Sequence, residues 1–105
     1  MSDLLYDIMT PLGITVRCRR TFWENVILHK HPVLRGREGE VGLALSEPDE
    51  VRRSRRDPSV LLFYRGDSPR WTCAVTKVSG LWGVLVTAYP TDAIKIGDTV
   101  WTRSN

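Results

Sequence analysis

The sequence predicts an α+β fold in one domain, residues 1–105, with two N-terminal helices packed on a four-stranded antiparallel sheet. Apolar residues recur at helical spacing in the first half of the chain. Four extended stretches separated by turn residues follow in the second half. A chain of 105 residues has room for one hydrophobic core, so a second domain is not expected.

The first helix is predicted by a start signal and a stop signal. Residues 1–13 are expected to be a weakly ordered lead-in, and residues 14–17 a short edge strand. The run Thr21 to Glu24 fits a capping box, in which the Thr and Glu side chains cap each other's backbone N–H groups. A helix should therefore begin near Phe22, and Pro32 should end it just after His31.

The second helix is predicted from about Arg37 to Ser46. Val41, Ala44 and Leu45 share one face of such a helix, and Pro48 follows as a terminator.

Four strands and a short tail strand are predicted after the helices. The strands are Val51–Arg53, Val60–Arg65, Trp71–Val78 and Leu81–Tyr89, and the tail edge strand runs through Thr99, Val100 and Trp101. Ser79-Gly80 between two of them is a two-residue hairpin signal. Alternation along the last long strand predicts a core face of Trp82, Val84, Val86 and Ala88, with Leu85, Thr87 and Tyr89 on the other face.

The basic charge of the chain is carried mainly by arginine. The net charge is +3, and the fifteen basic residues are twelve Arg and three Lys. Arginine suits bidentate contacts to phosphate, although a GC-rich genome would produce the same bias. Composition is that of an ordinary globular domain, with no apolar run long enough to span a membrane. Acidic Asp3 and Asp7 argue against a signal peptide, so a cytoplasmic location is expected.

The segment from Arg52 to Arg56 is the most unusual in the sequence. It holds four arginines within five positions, Arg52, Arg53, Arg55 and Arg56, around Ser54. An extended chain turns successive side chains to opposite sides, so some of these cations must face solvent. Such a patch suits phosphate. The alternative is a solvated surface that neighbouring carboxylates partly neutralise.

His29 and His31 are the two histidines, both at the end of the first predicted helix. Residues two apart on a helix point to different sides, which argues against a two-histidine metal site. No other metal or cofactor motif occurs, and Cys18 and Cys73 have no zinc or redox spacing and are expected to be reduced and partly buried. Either histidine could instead interact with the helix C-terminus.

Polar residues near the predicted strand ends could converge on one phosphate. They are Tyr64, Arg65, Lys77, Thr87 and Tyr89. A tyrosine, an arginine, a hydroxyl and a histidine around one phosphate are sufficient for metal-free RNA cleavage. The chemistry is general acid and base catalysis.

Several short motifs occur in an order that resembles a known nuclease group. They are His29-Lys30-His31-Pro32, Pro48 to Pro58 with the Arg-Arg-Ser-Arg-Arg core, Phe63-Tyr64-Arg65, Val86 to Asp92 with Thr-Ala-Tyr, and Ile94-Lys95-Ile96-Gly97. Together they resemble the Barnase/EndoU/colicin/RelE-like (BECR) nucleases, as a small stand-alone bacterial or phage member. The resemblance extends from about Thr21 to Trp101.

The resemblance implies a RelE-like fold and a metal-independent endoribonuclease, often a toxin restrained by an antitoxin protein. It makes His31 the proton-transfer group. Arg55 and Arg65 would bind the phosphate, and Tyr64 and Thr87 would position it. Further RNA contacts would come from His29, Arg52, Arg53, Ser54, Arg56, Lys77 and Tyr89, and an antitoxin would present acidic residues to Arg52–Arg56.

Two departures from the family pattern are Val33, where an acidic residue is expected, and a short loop at residues 66–70. Because members of this fold differ in their active residues, a non-catalytic RNA-binding or protein-interaction module remains the alternative.

Overall fold

Strands dominate the structure, a computed structural model that describes residues 3–104. The strands are β1 Leu4–Met9, β2 Thr15–Arg19, β3 Glu50–Arg53, β4 Val60–Asp67, β5 Arg70–Ser79, β6 Trp82–Thr91 and β7 Asp98–Thr102. Helix α1 spans residues 20–30, with a π-helical middle, Trp23–Ile27, between the α-helical ends Arg20–Phe22 and Leu28–Lys30. A 3₁₀ turn, Pro32–Leu34, precedes helix α2, Glu38–Ser46.

The sheet corrects the predicted fold class. The described residues form one seven-stranded mixed sheet in the order β1-β2-β6-β5-β4-β3-β7, in which β2 runs parallel to β6 and the other pairs are antiparallel. The prediction of two N-terminal helices on a four-stranded antiparallel sheet is therefore wrong. A β1–β2 hairpin precedes the helices, and its attachment to β6 is a long-range pairing that local sequence does not encode.

Residues 1–13 were expected to be weakly ordered, but β1 occupies most of the part that the structure describes. Residues 1 and 2 lie outside the described residues. Strand β2 is also not an edge strand, because β1 pairs with it on one side and β6 on the other. The expected strands of the second half are confirmed as β3, β4, β5, β6 and β7, and the second helix as α2.

Helix α1 begins earlier than the capping box predicts. Its N-cap is Arg19, which makes no side-chain cap hydrogen bond. The backbone N–H of Arg20 instead donates to the carbonyl of Asp3 at 2.9 Å. A contact with the preceding hairpin thus replaces the capping box, because a tertiary acceptor satisfies one of the free N–H groups of the helix start.

The main core lies between the helices and one face of the sheet. Helix α1 contributes Trp23 and Ile27, and α2 contributes Val41, Ala44 and Leu45, all fully or almost fully buried. They pack on the sheet residues Val16, Val51, Leu61, Phe63, Ala74, Leu85 and Ala88. Burial of these apolar side chains is the main source of stability for the fold.

A β-bulge corrects the predicted core face of β6. Thr76 pairs with Leu85 while Val75 pairs with Thr87, so Val86 is an extra residue. Leu85 and Ala88, which are three positions apart, therefore both face the core. The predicted core residues Trp82, Val84 and Val86 are instead 54%, 56% and 40% exposed. The bulge reverses the alternation, as one inserted residue must.

The sheet face away from α1 and α2, here called the open face, has its own small cluster. Tyr64, Cys73 and Tyr89 lie side by side on β4, β5 and β6, because Tyr64 pairs with Cys73 and Cys73 with Tyr89. The connection between β6 and β7, residues 92–97, crosses this face and packs Ile94 on the cluster. Both cysteines are free and buried.

None of the helices within residues 3–104 is long and apolar enough to cross a membrane.

Candidate nucleic-acid site

The end of α1 brings His31 against Tyr89. The backbone N–H of His31 still donates to the Ile27 carbonyl at 2.8 Å, but its φ and ψ of −130° and 73° leave the helical region before Pro32. The imidazole lies against the Tyr89 ring, with 5.8 Å between ring centroids and 43° between planes. Two residues that the sequence assigns to the site, far apart along the chain, are therefore in contact.

This contact is possible because β2 leaves the sheet early. It pairs with β6 only at Trp82, Gly83 and Val84. After Arg19 the chain turns into α1, so within residues 3–104 no strand lies on the β2 side of the later part of β6, where Tyr89 pairs only with Cys73 of β5. The edge of β6 next to Tyr89 is thus available to the C-terminal end of α1.

Two buried hydroxyls, those of Thr87 and Tyr89, are neighbours on the open face of β6. The Thr87 hydroxyl has no hydrogen-bond partner among the described residues, whereas the Tyr89 hydroxyl lies against the Cys73 thiol and interacts with it. Burial raises the pKa of Tyr89 above its ordinary value, and the nearby Cys73 adds to the rise. Because buried polar groups are usually paired, the unpartnered Thr87 hydroxyl is a signal of function.

Lys95 adds a positive charge beside Tyr89. Its Nζ lies 5.5 Å from the centroid of the Tyr89 ring, and its side chain is exposed on the 92–97 segment. The motifs of the sequence assign no role to Lys95. The one available signal was its place in the Ile94-Lys95-Ile96-Gly97 motif, which does not show that the segment folds back over Tyr89.

Tyr64 is engaged inside the protein. It is fully buried, and its hydroxyl accepts a hydrogen bond from the backbone N–H of Lys95 at 3.1 Å. Burial raises the pKa of Tyr64 to about 12, and the neighbouring Cys73 also raises it, so the phenol is neutral near pH 7. The Tyr64 hydroxyl is therefore bonded to the backbone of Lys95 and is not exposed to a ligand.

The first two arginines of the basic segment bond within the protein. Arg52 pairs with Glu50 and donates from Nη1 to the Gly97 carbonyl at 3.4 Å. Arg53 donates from Nη1 to the Pro58 carbonyl at 2.6 Å. Both guanidinium groups are therefore occupied in holding neighbouring segments.

The next residues form the exposed turn between β3 and β4. The Ser54 hydroxyl accepts hydrogen bonds from the backbone N–H groups of Arg56 at 3.2 Å and Asp57 at 3.4 Å. Arg55 makes an exposed ion pair with Asp98 at 3.7 Å. The Arg56 side chain is exposed as well. Arg55 and Arg56 are thus the members of this segment that a nucleic acid can reach.

The remaining predicted site residues have no contact with the rings of His31 and Tyr89 among those that the described residues make. Arg65 donates from Nη1 to the Glu47 carbonyl at 2.6 Å. Lys77 makes an ion pair of 3.5 Å with Asp57, and His29 is exposed on α1. Tyr89 is therefore in contact with both His31 and Lys95, whereas Arg65 and Lys77 bond to other partners.

Within residues 3–104, no group of three or more His, Cys, Asp or Glu side chains is placed to hold a metal ion.

Comparison with known proteins found no matching family model, no matching curated protein and no matching solved structure.

Proposed function

We propose that the protein is a metal-independent endoribonuclease in which His31 transfers a proton beside Tyr89 and Thr87. The observation that carries the proposal is the contact between the His31 and Tyr89 rings, 5.8 Å between centroids. It joins two residues that the motif resemblance assigns to one site. The unpartnered hydroxyl of Thr87 supports it, since a polar group without a partner among the described residues is available to a substrate or to a rearrangement on binding.

The chemistry requires a base, an acid and positive charge around one phosphodiester. A base takes the proton of the 2′-hydroxyl, and its oxygen attacks the adjacent phosphorus while the bond to the 5′-oxygen breaks. The departing oxygen receives a proton, and the products are a 2′,3′-cyclic phosphate and a free 5′-hydroxyl. Imidazole is suited to proton transfer near neutral pH. His31 supplies this group in the proposal.

The exposed arginines serve RNA binding in this proposal. Arg55 and Arg56 lie in the β3–β4 turn with solvent-exposed side chains. Exposed cations raise the local concentration of a polyanion and strengthen its binding at low salt. A restraining antitoxin would offer carboxylates to the same turn. This function agrees with a cytoplasmic location, where RNA is the substrate.

The test is RNA cleavage by purified protein in EDTA. The wild type is expected to release products with 2′,3′-cyclic phosphate ends, identified by mass spectrometry. His31→Ala should lower the cleavage rate about 10²- to 10⁴-fold, the usual contribution of a general acid or base. His29→Ala is the matched histidine substitution two residues earlier, and it should lower the rate only a few-fold. Equal activity of wild type and His31→Ala would rule out the assignment.

A non-catalytic RNA-binding module is the second candidate. It is favoured by the internal engagement of Tyr64 and Arg65, whose side chains bond to backbone groups of Lys95 and Glu47. This function requires RNA binding that weakens with salt and RNA that stays intact at high protein concentration. Intact RNA in a binding-competent sample would decide for this candidate.

A further inference from the structure

We infer that the 92–97 segment carries a phosphate-binding site, in which Lys95 receives an RNA phosphodiester beside His31 and Tyr64 acts as a positioning residue. The inference deepens the proposed function and rests on it for the identity of the ligand. It assigns a role to Lys95 and changes the role of Tyr64, from a group that touches substrate to one that holds the segment.

Two hydrogen bonds from neighbouring strands hold this segment on the open face. The Tyr64 hydroxyl on β4 accepts the Lys95 N–H at 3.1 Å, and Arg52 on β3 donates to the Gly97 carbonyl at 3.4 Å. Ile94 is packed on the cluster that contains Tyr64. Lys95 is therefore fixed at its backbone while its side chain stays free to reach outward.

Gly97 allows the segment to lie this close to the sheet. A Cβ at this position would come within 2.6 Å of the Arg53 carbonyl oxygen, closer than real side chains approach a backbone atom. Glycine is used where two backbones must pass at short distance. The close approach brings the segment within reach of Arg52 and so helps to set the position of Lys95.

Lys95 forms no ion pair with a carboxylate within the part of the chain that the structure describes. Arg17, Arg55 and Lys77 each pair with a carboxylate, whereas Lys95 pairs with none among the described residues and its Nζ rests over the Tyr89 ring. The same ring is in contact with the imidazole of His31, with 5.8 Å between ring centroids. A cation and an imidazole on one tyrosine ring, with no carboxylate paired to the cation among the described residues, suit the negative charge of a phosphate.

Tyr64 acts through Lys95 because its own oxygen is not exposed. The phenol is fully buried, and its hydrogen bond reaches a backbone atom of Lys95. Replacing Tyr64 with Phe keeps the packing of the ring and removes the acceptor. The expected result is a less ordered 92–97 segment and weaker phosphate binding, with the fold intact.

The experiment measures binding of a fluorescently labelled 2′-O-methyl RNA decamer, which cannot be cleaved because its 2′-oxygens are blocked. Lys95→Ala should weaken binding about tenfold, as expected for a lost charged hydrogen bond. The slope of log K against log salt should fall by about 0.7, the value for one phosphate contact on a single strand. Lys95→Arg should restore most of the affinity. Arg20→Ala, which removes one exposed charge at the opposite end of α1, is the matched control and should leave the slope unchanged.

A double-mutant cycle tests the role of Tyr64. Tyr64→Phe should weaken binding in the wild-type background and have no further effect in Lys95→Ala, because both changes remove one interaction. Tyr6→Phe is the control, since Tyr6 is a buried tyrosine whose hydroxyl donates to the Glu38 carbonyl at 2.6 Å on the other side of the sheet. Additive effects of Tyr64→Phe and Lys95→Ala would overturn the positioning role.

A titration with inorganic phosphate shows whether the site at Lys95 binds an RNA phosphodiester or only free phosphate. The amide resonances of Lys95 and Tyr89 should shift with phosphate and with the 2′-O-methyl RNA at the same site. Shifts with free phosphate alone, and an RNA salt slope that Lys95→Ala does not change, would overturn the RNA assignment.

Failure of this inference is separable from failure of the proposed function. RNA cleavage that does not depend on Lys95 overturns the inference alone. A Lys95-dependent salt slope without any RNA cleavage overturns the nuclease function and leaves the phosphate site. Absence of both binding and cleavage overturns both.

Discussion

Cys73 lies directly opposite Tyr89 on the open face, between that tyrosine and Tyr64. The three side chains are the centre of the second hydrophobic cluster and lie under the 92–97 segment. The two phenols and the thiol are neutral near pH 7, since burial raises the pKa of each. The candidate site is therefore built on a layer of neutral, titratable groups.

This layer makes stability fall at alkaline pH. Burial raises the pKa of Cys73 from 9.0 to about 11, so the folded state holds the proton more tightly than the unfolded chain. The contribution to stability is complete below pH 9 and is lost as pH rises from 9 to 11. The free energy of unfolding should fall by about 1.4 kcal/mol per pH unit for each such thiol, and burial also raises the pKa of Cys18 to about 11.

Urea denaturation between pH 8 and 9.5, with a reductant present, measures this slope mostly below the ordinary tyrosine pKa of 10.0. Cys73→Ala should be less stable at pH 8 because the substitution leaves a cavity. Above pH 9 its free energy of unfolding should fall less steeply with pH, by the contribution of one thiol proton. An unchanged slope in Cys73→Ala would contradict the assignment.

Removal of an unpartnered hydroxyl should separate activity from stability. Thr87→Val deletes the Thr87 hydroxyl, whose oxygen is buried without a partner, and keeps the shape of the side chain. Its free energy of unfolding should stay the same or rise by up to about 1 kcal/mol, because an unsatisfied polar group is costly to bury. RNA cleavage should slow if the hydroxyl acts on substrate. A loss of more than about 1 kcal/mol in stability would show that the hydroxyl is bonded in solution.

The bulge in β6 gives opposite expectations for two adjacent residues. Leu85 is 2% exposed and faces the helices, whereas Val86 is 40% exposed. Leu85→Ala should lower the free energy of unfolding by about 2–5 kcal/mol through the cavity that it leaves. Val86→Ala should change it by about 0.5 kcal/mol or less. Chemical denaturation of both variants checks this, and the reverse order would mean that the simple alternation of the sequence is correct after all.

The exposed turn after β3 should contribute to RNA binding but not to the stability of the fold. Arg55→Gln combined with Arg56→Gln should lower RNA affinity and reduce the salt slope by about 1.4, or about 0.7 for each lost phosphate contact on a single strand. Their melting temperature should be close to that of the wild type, since exposed ion pairs contribute little. Arg53→Gln is the comparison, because its guanidinium bonds the Pro58 carbonyl and its loss should cost about 1 kcal/mol. A large stability loss in the Arg55/Arg56 variant would argue for a structural role of the turn.

Local patterns in the sequence were sufficient to predict strands β3 to β7 and helix α2. Ser79-Gly80 marks the β5–β6 hairpin, and Pro48 marks the end of α2, because turn and stop residues act on the backbone near them. The buried face of α2, formed by Val41, Ala44 and Leu45, also follows from helical spacing alone.

The same patterns were insufficient for the start of the chain and for the face of β6. Strand β1 acquires its position from β2 and from Tyr6, which packs edge-on against Trp23 at 5.7 Å between ring centroids. The extra residue Val86 is visible only in the pairing of β5 with β6. A pairing register depends on both strands, so one strand's alternation cannot reveal a bulge.

The sequence by itself determined which residue types were available to the candidate site, including His31, Thr87, Tyr89 and the exposed Arg55 and Arg56. Only the tertiary structure decided that His31 meets Tyr89, that Tyr64 turns inward and that Lys95 returns over the open face. The physical reason is that these contacts join segments far apart in the chain, through hydrogen bonds and packing that form only when the sheet and α1 are assembled.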